Sequence, residues 1–523
     1  MDFNLADLFE CVADRVPDRE ALVWRDRRLS YAELDDRATR LAHGLQAVGV
    51  SAGDHVGVYT HNRPEFLETM IAAYKMRAVP INVNYRYVAD ELAYLFDNAD
   101  LVALVHERSF GPIIESIRDR LPRLRTTVVV DDGSGAPAAG VDYEDLVATG
   151  SSERDFGARS ADDLYVLYTG GTMGRPKGVL WRQADAFTEC FGGIRTATSL
   201  NDVVTAATTE LQSLIAPPFM HGAGQWVSFL TWFTGGTVFV PPHPERLDPA
   251  SVWRTVERER ITFLLVVGNA FVGPLLDELD RHPYALSSLT VLLSGGAPLA
   301  PTLKHALVAH LPALMIVDGL GASETGGQLT QVSTGGCTAS GTFPLAPNNV
   351  VLSEDRSRVL EPGDDELGWL AKHGRLALGY LGDPTRTAET YPTIDGVRYA
   401  VPGDRARLRP DGMVEVRGRD SATINTGGEK VFAEEVETAL RTHPDVYDCV
   451  VAGRPSERWG SEVVAVVQLR EGCEADEDAL LDAAAERISR YKLPKAFVFV
   501  DEVVRSPSGK PDYRWARAIA RDA

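Results

Sequence analysis

The sequence predicts an α/β protein. A large N-terminal domain of mainly parallel sheets flanked by helices, with a β-rich subdomain, precedes a small α+β C-terminal domain. Three observations predict this. Apolar strand-like runs alternate with helical segments of about 10–20 residues up to roughly residue 320. Residues 335–420 are rich in Gly, Pro and Asp, with only short β-like runs. Beyond Arg419 the pattern turns to mixed helix and strand, in a chain of 523 residues that is too long for one core.

In order, Leu5 to Val16 has helical spacing. Ala21–Trp24 and Leu29–Tyr31 read as a short hairpin, with Ser30 as N-cap of a helix from Tyr31 to Val48. His55–Tyr59 reads as a strand, Pro64–Met76 as a helix, and Val79–Val83, Leu101–Val105 and Thr126–Val130 as further strands. Residues 131–160 read as loop, and Leu164–Tyr168 as a buried strand. A second α/β run carries strands at Val238–Val240, Thr262–Val267, Thr290–Leu293 and Met315–Val317. The C-terminal segment predicts helices over Ala433–Arg441 and Asp476–Ser489, with strands at Val446–Val451, Val463–Leu469 and Ala496–Val500. There is no repeat and no low-complexity tract.

The formal charge is 53 − 74 = −21. It argues against a nucleic-acid partner and against docking on anionic lipid. Five scattered cysteines without C-x-x-C spacing fit a reducing cytoplasm and neither a disulfide framework nor a zinc site. The N-terminal residues predict no signal peptide. Ile261–Leu276, the longest apolar stretch, is broken by Gly268, Gly273 and Pro274, so it reads as strand, turn and helix and not as a membrane span. Together these predict a cytoplasmic protein with no integral membrane segment, and they leave room for a homodimer.

The chain is organised around Tyr168–Val179, Y-T-G-G-T-M-G-R-P-K-G-V. A strand precedes it and a helix is expected to begin near Gln183. That layout lets backbone N–H groups wrap an anion, with Thr169 and Thr172 adding hydroxyls and Arg175 and Lys177 adding charge. Gly178 follows the lysine where a P-loop would place a hydroxyl, so this is not a P-loop. Composition alone reaches a phosphate-binding loop.

The pattern resembles the signature loop of the adenylate-forming enzymes: acyl-CoA synthetases, peptide-synthetase adenylation domains and luciferases. That loop usually reads Y-T-S-G-T-T-G-x-P-K-G; here Gly170 replaces Ser and Met173 replaces the second Thr. The resemblance implies nucleotide binding by Thr169, Gly170, Gly171, Thr172 and Lys177. Further motifs recur in the family's order. In Pro217-Pro218-Phe219-Met220-His221-Gly222, the resemblance places His221 beside an acyl pocket, which Gln225, Trp226 and Phe229 through Phe233 would help line, although these aromatics read equally as core. Gly296-Ala297-Pro298, at the end of a strand, would flank the adenine. Asp318-Gly319-Leu320-Gly321-Ala322-Ser323-Glu324 matches the family's Y-G-x-[TS]-E with Leu320 in place of Tyr; Ser323 would meet the α-phosphate and Glu324 would hold Mg²⁺. Asp404 would accept from the ribose hydroxyls, and Arg419 would contact ribose or phosphate.

By the same resemblance, residues 1–418 form the large domain, 419–421 a hinge with Ser421 at the pivot, and 422–523 a small mobile domain. Gly427, Gly428 and Glu429 would line the passage for CoA, and Lys510, in S-P-S-G-K-P, matches the catalytic lysine. The runs I-N-T-G-G-E-K-V-F and S-P-S-G-K-P-D-Y-R-W-A are similar to those of actinobacterial fatty-acyl and sterol-side-chain acyl-CoA ligases. The implied reaction takes ATP, Mg²⁺ and an apolar carboxylic acid to an acyl adenylate, then to a thioester with CoA as cosubstrate. The alternative is an adenylate-forming enzyme with another acceptor, such as an amide ligase or a nitrite-using diazotase. Lys510, Glu324 and His221 would carry the catalysis.

Overall fold

A computed structural model describes residues 3–169, 176–192, 197, 199–207, 209–243, 245–335, 341–426, 429–456, 460–507 and 509–522. Two eight-stranded sheets build the large N-terminal part. In one, Leu164–Thr169 and Val79–Asn82 lead through His55–Tyr59 and Leu101–Glu107 to Thr126–Val130, all parallel. Lys177–Arg182 and Gly379–Tyr380 extend its other side in antiparallel fashion. In the second sheet, Met315–Ala322, Val291–Gly295, Phe263–Val266, Gln212–Ile215, Thr237–Val240 and Glu20–Trp24 run parallel. Antiparallel strands Gly326–Ser333 and Arg27–Ser30 close its two edges. The expectation of mainly parallel sheets flanked by helices therefore holds. It rests on runs such as Leu101–Glu107, buried at every position as a strand covered on both faces must be.

A seven-stranded, mainly antiparallel sheet occupies Thr342–Arg419, as the Gly- and Asp-rich composition predicts. The C-terminal part is α+β: a hairpin of Thr423–Thr426 with Glu429–Phe432, and a three-stranded sheet of Val446–Ser456, Gly460–Leu469 and Ala496–Phe499. Helices Ala433–Leu440, Glu477–Ala485 and Tyr513–Arg521 complete it.

Two readings of the sequence need correction. The glycine-rich segment does not run from strand to helix: Lys177–Arg182 is a strand paired with Leu164–Thr169, and the helix Gln183–Glu189 follows that hairpin. Lys177 to Arg182 is short and buried at alternate stretches, so its strand character shows only once a partner is present. Residues 131–160 also contain a helix, Tyr143–Thr149, capped by Asp142, whose carboxylate accepts from the Glu144 and Asp145 amides.

The largest apolar cluster lies between the first helices and the two sheets, and gathers Phe9, Tyr31, Leu41, Met70, Phe187, Phe229 and Trp232. The Ser30 cap is present with its reciprocal Glu33 contact. Phe229, Trp232 and Phe233 belong to this cluster, with Trp232 Nε1 donating to the Ala21 carbonyl at 2.8 Å. They are core and not pocket lining. The ammonium of Lys75 is fully buried beneath the first helices, 2.5 Å from Glu10 and 2.7 Å from Asp35. Replacing it removes the cation these two carboxylates share, although Glu10 keeps Arg159 and Asp35 keeps Arg154, each at 2.8 Å. Lys75→Met is expected to lower the unfolding free energy by about 2 kcal/mol, read from the urea midpoint, the usual cost of losing a hydrogen bond to a charged group whose other partner remains.

Candidate active site

The site lies where the ends of the two sheets meet, and two buried amides fix that meeting. Asn82, at the end of Val79–Asn82, donates to the carbonyls of Tyr168 (2.8 Å) and Met220 (2.6 Å) and accepts from the Tyr168 amide (2.8 Å). Asn62 donates to the Pro217 carbonyl (2.8 Å) and accepts from the Phe219 amide (2.6 Å). The strand entering the glycine-rich segment and the Pro217–His221 segment are thus tied to the same sheet. Thr169 and Lys177 pair across the base of the hairpin. Gly178 is required there: a Cβ would stand 2.7 Å from the Tyr168 ring.

Across the cleft, Gly295 and Gly319 pair at the carboxyl ends of adjacent parallel strands, the edge where open α/β sheets take ligands. Gly296 has φ +86°, a conformation L side chains avoid, and Ala297 and Pro298 follow it. Asp318 is ion-paired with the buried Lys304, and burial pushes its carboxyl up. Leu320 packs against the core of the β-rich sheet, beside Leu329 and Phe343. Ser323 offers its carbonyl to Trp181 Nε1 at 2.8 Å. Beyond Glu324, the wholly buried Lys372 donates to the carbonyls of Thr325 (2.8 Å) and Gly327 (2.6 Å) and is paired with Glu189 at 2.6 Å. One Glu324 carboxylate oxygen accepts from the Tyr380 hydroxyl at 2.7 Å.

Lys510 reaches this cleft from the C-terminal part, its Cε near the Gly296 backbone. Glu324, Asp404 and Arg419 are all within electrostatic reach of its ammonium. Protein surrounds the side chain while the cleft mouth leaves it wetted. Loss of hydration, then Arg419, lowers its pKa to about 8. Asp404 is buried and meets Arg419 at 3.3 Å across paired strands, and that carboxylate is the main reason the guanidinium holds its proton more tightly than usual. Burial, then Arg386, depresses Lys177, whose ammonium sits over the Tyr380 ring at 4.9 Å. His221 stands just before the helix Gly222–Phe233 without a side-chain bond to its first turn; its Nε2 is shut from solvent with no partner among the described residues, and burial, then Lys510, pulls its pKa down to about 3. It is neutral at physiological pH.

Lys510, Glu324, His221, Lys177, Asp404, Arg419 and Gly296 therefore converge from six segments of the chain. Gly170, Gly171, Thr172, Gly427 and Gly428 lie outside the described residues, as do the side chains of Ser421 and Glu429. Sequence reasoning missed Asn62, Asn82, Lys372 and Tyr380. Only Tyr380 carried a local signal, as the end of a Gly-Tyr pair; the others act through contacts at a distance. Among the described residues no three His, Cys, Asp or Glu side chains form a metal cage. A lone carboxylate such as Glu324 suits Mg²⁺ shared with phosphates, since that ion rarely takes an all-protein cage.

Residues 9–381 match the family described as AMP-binding enzyme, and residues 435–510 its C-terminal domain. The chain is 46% identical to the medium-chain acyl-CoA ligase Mig of Mycobacterium avium, over 99% of this chain and 98% of that one. It is 43% identical to the 3-oxocholest-4-en-26-oate–CoA ligase of Rhodococcus rhodochrous, over 99% and 96% of the two chains. The ATP-bound structure of MatB from Rhodopseudomonas palustris superposes with a TM-score of 0.82 at 26% identity, covering 100% of this chain and 99% of that one.

The cleft's charge arrangement is measurable. ¹³C NMR titration of methylated lysines should place Lys510 between about 8 and the ordinary lysine pKa, since water reaches the ammonium through the cleft mouth. Arg419→Ala should raise it, because the neighbouring cation is one cause of the depression.

Proposed function

The chain belongs to the AMP-binding enzyme family, and from that premise we propose that it is an AMP-forming acyl-CoA ligase acting on an apolar carboxylic acid. The medium-chain and sterol-acid specificities named for its relatives support a substrate of the same kind: a medium-chain fatty acid, or the carboxylated side chain of a sterol. The observation that carries the reading is the arrival of Lys510 in a cleft that already holds Glu324, Asp404 and Arg419.

In the first half-reaction a carboxylate oxygen attacks the α-phosphorus of ATP and pyrophosphate leaves. The protein's work is alignment and charge neutralisation, in a cleft where aimed donors need no reorganisation. Asp404 accepts from the ribose hydroxyls, and Arg419, held by Asp404, is already oriented. Lys177 faces the outer phosphates, the role that the resemblance also gives to Thr169, Gly170, Gly171 and Thr172. Lys510 bridges the developing charge between acid and α-phosphate. Neutral His221 walls the acyl side and, with its free Nε2, offers a hydrogen bond without adding charge. Glu324 would hold Mg²⁺, which when bound neutralises the phosphate charge. In the second half-reaction the CoA sulfur attacks the acyl carbon and AMP leaves. Rotation about 419–421 would withdraw Lys510 and bring up Gly427, Gly428 and Glu429 along the CoA passage, with 1–418 and 422–523 as the two moving bodies.

The decisive experiment is a pyrophosphate-release screen over acids from acetate to sterol side chains, with and without CoA, with products read by mass. A CoA thioester from medium-chain or sterol acids is the expected result. AMP and pyrophosphate without any thioester would overturn the acceptor. Lys510→Ala should slow adenylation by about 100-fold or more, the usual cost of one aimed donor. The same variant should consume supplied acyl adenylate and CoA at nearly the normal rate. Equal loss in both half-reactions would refute the rotation.

A further inference from the structure

We propose that Tyr380 is a positioning residue for Glu324: its hydroxyl pins one carboxylate oxygen so that the other is presented to the divalent cation that accompanies ATP. This rests on the reading of Glu324 as the metal ligand and adds a residue to that site.

The backbone comes first. Gly379–Tyr380 pairs with the strand that leaves the glycine-rich hairpin, placing Tyr380 opposite Val179, two residues beyond Lys177. Flanking bonds lock the register: the Leu378 amide donates to the Leu180 carbonyl at 2.7 Å, and the Leu381 amide to the Gly178 carbonyl at 2.8 Å. Tyr380 thus moves with the hairpin and not with the β-rich sheet that precedes it in sequence.

Its side chain then crosses the cleft wall. The ring is buried, at 6% exposure, and its hydroxyl donates to Glu324 Oε1 at 2.7 Å. A phenol is protonated at neutral pH and a carboxylate only accepts, so the hydroxyl is the donor in this bond. The main chain around Glu324 is already fixed from three sides. Trp181 holds the Ser323 carbonyl, Lys372 holds those of Thr325 and Gly327, and the Tyr391 hydroxyl reaches the Glu324 carbonyl at 3.4 Å. What remains free is the rotation of the Glu324 side chain, and the Tyr380 hydroxyl removes it. A carboxylate held at one oxygen has the other left for a hard cation, and losing such a supporting contact typically costs 10–100-fold in metal affinity.

The ring has a second neighbour, the Lys177 ammonium over its face. Two substitutions separate the contacts. Tyr380→Phe removes the hydroxyl and keeps the face; Tyr380→Leu removes both.

The test is Mn²⁺ binding, with the free-ion electron paramagnetic resonance signal followed in the presence of α,β-methylene-ATP. It is run on the full-length wild type, Tyr380→Phe, Glu324→Gln and the double variant, each first checked for an unchanged unfolding temperature. The expected result is an Mn²⁺ dissociation constant raised about tenfold in Tyr380→Phe. Glu324→Gln should raise it at least as much, and the double variant should match Glu324→Gln alone. The Mg²⁺ concentration that half-saturates acyl-adenylate formation should move in parallel. Tyr380→Leu should also raise the KM for ATP. Wild-type Mn²⁺ binding in Tyr380→Phe, with weakened binding in Glu324→Gln, overturns the positioning role alone. Unchanged binding in Glu324→Gln overturns the metal assignment and this inference with it.

Discussion

The site depends on a constraint that carries no charge: the side-chain amide of Asn82. One parallel strand ends at this residue, and its amide satisfies the backbone of two other segments, the strand into the glycine-rich loop and the turn before His221. Buried backbone groups must find partners, and here the partners come from a single side chain. The reactive groups are therefore referenced to one point. Asn62, beyond the neighbouring strand His55–Tyr59, repeats the arrangement on Pro217 and Phe219.

Around that frame the charges are arranged by sharing. Asp404 orients Arg419, Tyr380 orients Glu324, and Glu189 and Lys372 hold the turn after Glu324. Three cations, Lys177, Arg419 and Lys510, face two carboxylates, Glu324 and Asp404. Each ammonium is lowered by lost hydration and by a like-charged neighbour. An arriving polyphosphate relieves that repulsion. Affinity for a polyanion is thus built into the mutual discomfort of the cations, in addition to any direct contact.

Much of this was legible in the sequence because it is local. The parallel strands show as continuous apolar runs, Ser30 as a cap three residues before Glu33, and the reactive residues as short motifs in a fixed order. What stayed hidden depends on partners distant in the chain. Asn82 looks like any strand-end asparagine until Met220 is folded against it. Lys372 reads as a surface lysine in an ordinary strand, and nothing nearby announces Glu189. The strand Lys177–Arg182 was missed because the glycines before it suggested a turn into a helix, and pairing alone decides otherwise. Phe229 and Trp232 show the reverse problem: an apolar helix can line a pocket or fill a core, and only contacts tell which.

The apolar cluster of the C-terminal part draws only on residues from Ala422 onward, and none of its side chains belongs to the clusters of the larger part. The seam is largely polar, with Arg417 on Glu435, Arg470 near Asp277 and Glu434 against Gly418. Glu434, crowded by burial, Glu437 and Asp404, has its carboxyl raised to about 7. A chain built this way is modular in the genetic sense. Recombination at the seam exchanges one complete core for another and asks the newcomer only to match a few ionic contacts, so related chains can trade their C-terminal parts without repacking either interior.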